Sequence, residues 1–207
     1  MPEKLFFELG TDKQKKIISV GITEFGTYGF SNSSTNRIVQ NAGISKGSLF
    51  KYFTNKEDFF FFILDAVTAE LSEDLDKAAA NFSKELFQRV IDYSTAEFSW
   101  YIHNPEKYRL IMMAFSQNDV EIYPKVMARY RNQEQDIYYR LLEDINTDHF
   151  RWERKMTIDI LKWFLKGFNE DFIRGTNMEQ HDLEHIKSDY VKSLLTHMEV
   201  LKNGLLK

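Results

Sequence analysis

The chain has 207 residues, of which 43% are hydrophobic and 28% charged, with three prolines and no cysteine. That apolar content supports a packed core and excludes wholesale disorder. The missing cysteines exclude a disulfide scaffold, a Cys-ligated zinc site, an iron–sulfur cluster and a thiol nucleophile. No run approaches the ~20 apolar residues of a membrane span, and MPEKLFFELG does not read as a signal peptide. A cytoplasmic protein with no membrane partner is the expectation. The net charge of −4 is unevenly spread: residues 1–56 hold eight Lys/Arg against four acids, +4, which leaves −8 on the remainder. A basic head on an acidic body points to a polyanion partner for the head alone.

Helical spacing dominates, and no period-2 strand pattern stands out. The expected fold is all-α with about nine helices, four short ones in the head and five long ones in the body. Asp12 is placed to cap a first helix carrying Ile18, Ile22 and Phe25, which stops near Gly29. Ser33 or Ser34 then caps a short helix through Ala42, with Arg37 exposed and Ile38 inward. A second short helix covers roughly Lys46 to Phe53, and Asn55 caps a longer one with Phe59, Ile63 and Val67 inside. Phe59 to Phe62, four consecutive phenylalanines, faces nearly all sides of that helix and fits a buried junction. Longer helices follow over about 83–103, to about 117, from 122 or 124 to 145, 151–174 and 179–205. No Gly/Ser linker separates head from body, so the helix starting near Asn55 is expected to be shared. The predicted division is 1–56 and 57–207.

Ser33 to Glu57 is the most specific stretch. Two short helices joined by Ala42-Gly43-Ile44-Ser45 fit a helix-turn-helix, with a small residue at the contact and glycine at the turn. The second helix opens on Lys46-Gly47-Ser48, where free backbone N–H groups, a hydroxyl and the helix dipole suit phosphate oxygens. Gly47 lets a duplex approach the backbone. Leu49 and Phe53 are expected inward, with Lys46, Ser48, Lys51 and Tyr52 projecting from the other side.

Phe25-x-x-x-Gly29-Phe30, Thr35-x-x-Ile38, AGISKGSLFKYF and Lys56-Glu57 together resemble the tetracycline-repressor (TetR) family of bacterial regulators, over about 45 residues. The resemblance implies that Thr35, Ser45, Lys46, Gly47, Ser48, Phe50, Lys51, Tyr52 and Lys56 face DNA, with the second short helix in the major groove. Phe50 departs from the family's usual tyrosine and forgoes a phenolic hydrogen bond to phosphate. Lys51 suits guanine O6 and N7, or a phosphate; Thr35 and Ser48 also suit helix caps.

The resemblance further implies a body that binds a small effector and forms a homodimer, whose two heads read a palindromic double-stranded operator. On the last two helices, Ile160, Phe164, Phe168 and Phe172, and Leu194, Met198 and Leu201, recur at helical spacing and form the expected dimer interface. Tyr93, Glu97, Trp100, Phe115, Tyr130 and Tyr138 are the candidate lining for an apolar or aromatic effector, although aromatics at this spacing more often form plain core. His181-Asp182-Leu183-Glu184-His185 fits the H-x-x-E-H spacing of zinc peptidases, but an exposed helical histidine pair is the better reading. No phosphate loop or nucleophile elbow occurs, and no enzyme activity, cofactor or metal is expected. The expected function is a repressor released from DNA by its ligand. The alternative is a helical ligand-binding or scaffold protein that no longer uses DNA.

Overall fold

The structure, a computed structural model, describes residues 2–130, 145, 151–176 and 183–205, the side chain of residue 205 apart. Every regular element among the described residues is a helix. In chain order these are α1 (Lys4–Phe7), α2 (Thr11–Asn32), α3 (Thr35–Ala42), α4 (Lys46–Tyr52), α5 (Lys56–Ala79), α6 (Leu86–His103) and α7 (Pro105–Ala114). Residues 123–130 form α8, and α9 (Arg154–Gly175) and α10 (Leu183–Leu205) complete the set. None is long and apolar enough to cross a membrane.

Local signals account for most helix ends. Asp12 is not the cap of α2: Gly10 holds that position. Asp12 sits instead in the first turn, where its carboxylate complements the positive end of the helix. Gly29 (φ 70, ψ −179) breaks the helical path inside α2, near where a stop was expected. Ser34 caps α3, its hydroxyl accepting from the Arg37 N–H, and Ser45 caps α4 in the same way from Ser48. Asn55 Oδ1 accepts from the Asp58 N–H at 2.8 Å and so caps α5.

The chain divides into two compact units, Met1–Glu73 with His103–Arg131, and Asp74–Ile102 with Asn132–Lys207. The division falls within α5, which therefore contributes residues to both. In the first unit an aromatic core forms around α5: Phe53 and Phe59 lie 4.6 Å apart, and Phe25 meets Phe60 edge-on at 5.1 Å. Phe59 and Phe60 are buried, while Phe61 lies under the Arg129 guanidinium at 5.0 Å and Phe62 contacts Phe6, Phe7 and Phe53.

Helices α2 and α7 run in close contact in this unit. A Cβ at Gly26 would stand 3.2 Å from the Leu110 nitrogen and 3.3 Å from the Glu106 carbonyl oxygen, so glycine permits the approach. Thr23 donates to Glu106 at 3.1 Å at one end. At the other, the Ser31 hydroxyl and N–H donate to the two oxygens of Asp119 at 2.7 and 2.8 Å. The second unit is built from α6, α9 and α10 around Phe98, Leu161, Leu165, Tyr190, Leu194 and Met198.

Candidate nucleic-acid interface

The turn between α3 and α4 follows from one backbone choice. Gly43 takes the left-handed conformation (φ 69, ψ 36) that ends α3. Its N–H reaches the Gln40 carbonyl and the Ile44 N–H the Val39 carbonyl, satisfying the orphan carbonyls of the last turn. Helix α4 then leaves Ser45 with Leu49 and Phe53 buried, as its sequence predicts. Ser45, Lys46, Gly47, Phe50 and Lys51 are exposed, and Ser48 and Tyr52 half-buried. The structure thus brings Ser45 through Tyr52 onto one short, presented helix.

Two details separate capping from contact. The caps are Ser34 and Ser45, so Thr35 is the first residue of α3 and Ser48 serves as Ser45's partner, with their hydroxyls 2.8 Å apart. A Cβ at Gly47 would meet nothing nearer than Ser45 Oγ, 3.8 Å away. Among the described residues no packing therefore asks for glycine at 47.

The remaining cations divide. Lys56 does not extend outward: its ammonium donates to the Phe30 carbonyl at 2.8 Å and the Ser33 carbonyl at 3.4 Å, 4.3 Å from the Phe30 ring centre. Arg37, expected exposed, is half-buried and forks onto the buried Glu24. Lys16, on α2, is a cation that the sequence alone does not single out. Its ammonium lies 3.7 Å from where a Cβ on Gly43 would stand, beside the α3–α4 turn. Only the fold could reveal this, because twenty-seven positions separate the two residues.

The candidate effector residues fall in both units. Tyr93, Glu97 and Trp100 lie on α6 in the second. There the Tyr101 hydroxyl donates to Glu97 Oε1 at 3.0 Å, Asn169 donates to Oε2 at 3.4 Å, and the Tyr190 hydroxyl donates to Asn169 at 2.6 Å. Burial outweighs the hydrogen bonds from Tyr101 and Tyr93 and pushes the Glu97 carboxyl up to about 7. Phe115 and Tyr130 belong to the first unit, their rings 5.6 Å apart, with the Tyr130 hydroxyl donating to Asp65. Tyr138 lies outside the described residues.

The expected dimer stripe also divides. Leu194 and Met198 are buried within the chain's own core, and Ile160, Phe164, Phe168, Phe172 and Leu201 pack partly against it. The apolar side chains left outward on these helices include Trp163, 70% exposed, and Val200, 71% exposed, with Met156 and Leu195 nearly half exposed. His181 lies outside the described residues, and His185 pairs with Asp189 at 3.4 Å. Among the described residues no group of three acids or histidines could hold a metal.

Residues 17–62 match the family model described as bacterial regulatory proteins, tetR family. The whole chain is similar in fold to a TetR family transcriptional regulator from Chloroflexus aurantiacus J-10-FL, at 17% identity, TM-score 0.76 and coverage of 100% of this chain and 99% of that one. A TetR-like regulator from Rhodococcus sp. RHA1 matches at 15% identity and TM-score 0.66, covering 92% and 98%. The regulator FadR from Bacillus subtilis, solved with stearoyl-CoA, matches at 14% identity and TM-score 0.61, covering 87% and 96%. No curated protein matches the chain in sequence. The chain carries a tetR-family head on the all-α fold of tetR-family transcriptional regulators.

Proposed function

We propose that this tetR-family regulator acts as a homodimeric repressor that binds a palindromic operator and leaves it when a small apolar or aromatic effector binds the body. The observation that carries the reading is α4: anchored by Leu49 and Phe53, it presents Lys46, Gly47, Phe50 and Lys51 on its outer side. Ser45, Ser48, Tyr52 and Thr35 flank that face, and Lys16 joins it from α2. Lys51 reads a base edge, and the N–H groups at the start of α4 hold phosphate. Lys56 supports the face from behind, through the α2–α3 junction.

Two heads on a two-fold axis match successive major grooves when their recognition helices stand about 34–36 Å apart. The dimer forms through the outward face of α9 and α10, with Trp163, Met156, Leu195 and Val200 meeting the partner. Ile160, Phe164, Phe168, Phe172, Leu194, Met198 and Leu201 form the layer that shapes this face. An effector that binds better to a wider head spacing weakens DNA binding by its differential affinity, typically ~1–3 kcal/mol. The FadR structure, solved in complex with stearoyl-CoA, supports effector binding by a regulator of this fold. Residues 1–56 serve DNA and 57–207 serve effector and partner, and no catalytic step is assigned to either.

A salt titration of binding to random-sequence duplex tests the reading. The regulator loses affinity steeply as salt rises, by several decades for a protein neutralising many phosphates. Failure of the dimer to bind any duplex at low salt would overturn it in favour of a helical scaffold that does not use DNA.

A further inference from the structure

Glu24 is an anion buried in a basic head. It is 4% exposed, on α2, and its carboxylate gathers groups from the start of α3. Oε1 accepts from the Ser34 N–H at 2.7 Å and from Arg37 Nη2 and Nε at 2.6 and 2.9 Å, and Oε2 accepts from Nε at 3.1 Å. The guanidinium also donates to the Asn32 carbonyl at 3.0 Å and lies 4.1 Å over the Tyr28 ring. Ser34 is the cap of α3 and Thr35 its first residue, so one carboxylate fixes the turn that carries the proposed Thr35 contact. Between Glu24 and Ser34 the chain passes through Gly29, where α2 loses helical geometry and no longer sets the direction of the residues after it.

Charge makes the same point. A lone buried carboxylate is costly, and a forked guanidinium is the partner that satisfies it with directional bonds. The exchange also leaves the half-exposed Arg37 with its charge paired to Glu24 rather than free for a phosphate. We propose that Glu24 is a positioning and specificity-determining residue: it locks α3 onto α2 through Ser34 and Arg37, and holds the Arg37 charge off the DNA phosphates. The head then reads sequence with a fixed α3–α4 pair and a smaller non-specific attraction than its lysine and arginine count implies. This rests on the DNA-binding reading above.

The test uses the full-length protein, a random-sequence duplex, and a duplex that the wild-type protein selects from a random pool. In Glu24→Gln the guanidinium loses its counter-charge. Binding to random duplex tightens several-fold at low salt, and the slope of log K against log salt steepens by about 0.9 per head, one phosphate's worth. Preference for the selected duplex over random falls at least tenfold. The neutral pair Glu24→Gln/Arg37→Gln, which can still hydrogen-bond, returns the slope to the wild-type value and recovers most of the preference. A merely structural Glu24 changes thermal stability and leaves the slope alone, and that result overturns the proposal. Should Glu24→Gln fail to fold, Arg37→Lys keeps the charge and loses the fork: a tenfold loss of preference at unchanged slope supports the proposal, and retained preference overturns it. If the wild-type protein itself binds no duplex, the DNA-binding reading has failed instead.

Discussion

Replacing Gly47 by alanine sets folding against DNA binding. Gly47 is the second residue of α4, exposed, with ordinary helical φ and open space where a methyl would go. Alanine there is expected to cost nothing in packing, since among the described residues its Cβ would meet only Ser45 Oγ, at an ordinary 3.8 Å. It also removes the backbone freedom that glycine loses on folding, worth about 0.5–1 kcal/mol inside a helix. For a chain of this size that is a rise in melting temperature of roughly 1–4 °C. At the DNA the sign reverses. A methyl between the backbone and a phosphate forfeits a charge-assisted hydrogen bond of roughly 1.5–3 kcal/mol, or about 10–100-fold in affinity per head. Differential scanning fluorimetry and anisotropy titration of labelled duplex read the two halves separately. A melting temperature that falls refutes the open-space argument. Higher stability with unchanged DNA affinity refutes the close approach.

Gly43→Ala, four residues earlier, should have the opposite effect on folding: its φ of +69 makes alanine destabilising by about 1–2 kcal/mol in chemical denaturation. Lys51→Ala should relax preference at one operator position by ~1–3 kcal/mol in a binding-site selection, whereas Lys56→Ala, by releasing the Phe30 and Ser33 carbonyls, should lower thermal stability and weaken all sequences together. Trp163→Glu should shift the protein to monomer in sedimentation while leaving its helical circular dichroism intact. Glu97 binds its proton more tightly folded than unfolded, so its contribution falls as pH rises from about 4.5 through about 7. Glu97→Gln should flatten that part of the stability profile, a change of a few kcal/mol at roughly 1.4 per pH unit. Denaturant melts between pH 4.5 and 8 check it, and a wild-type profile that rises over this range would refute the assignment.

The helix-turn-helix is legible in the sequence because its determinants are local: Ala42-Gly43 closes one helix, Ser45 opens the next, and Leu49 and Phe53 repeat at helical spacing. What escapes is pairing at a distance. Nothing in the spacing of Glu24 and Arg37 tells that one is buried against the other, so Arg37 reads as an exposed cation. Lys56 reads as a phosphate ligand because its sequence neighbourhood is a helix cap, while the carbonyls it finds lie at the end of α2. The stripe on α9 and α10 shows a related limit. Periodicity identifies an apolar face but not what covers it, so Leu194 and Met198 read as interface although both are core, while Trp163 stands open. Asp12 and Gly10 differ for a smaller reason, since an acid in the first turn and an acid at the cap satisfy the same electrostatics.

Helix α1 carries a consequence for the order in which the head assembles. Phe6 is fully buried, its ring 5.1 Å from Phe53 and 5.4 Å from Phe62, and the Glu3 N–H donates to the Tyr52 carbonyl at 2.8 Å. Residues 3–6 are therefore among the last of this unit to find their partners. They wait for a segment about fifty residues further on, and closing so long a loop must precede the contact that rewards it. Helices α2 to α4 can form during that wait. The far end of α4 is sealed only when α1 swings in beneath it, so weakening that contact should slow the final step of folding more than it disturbs the finished structure.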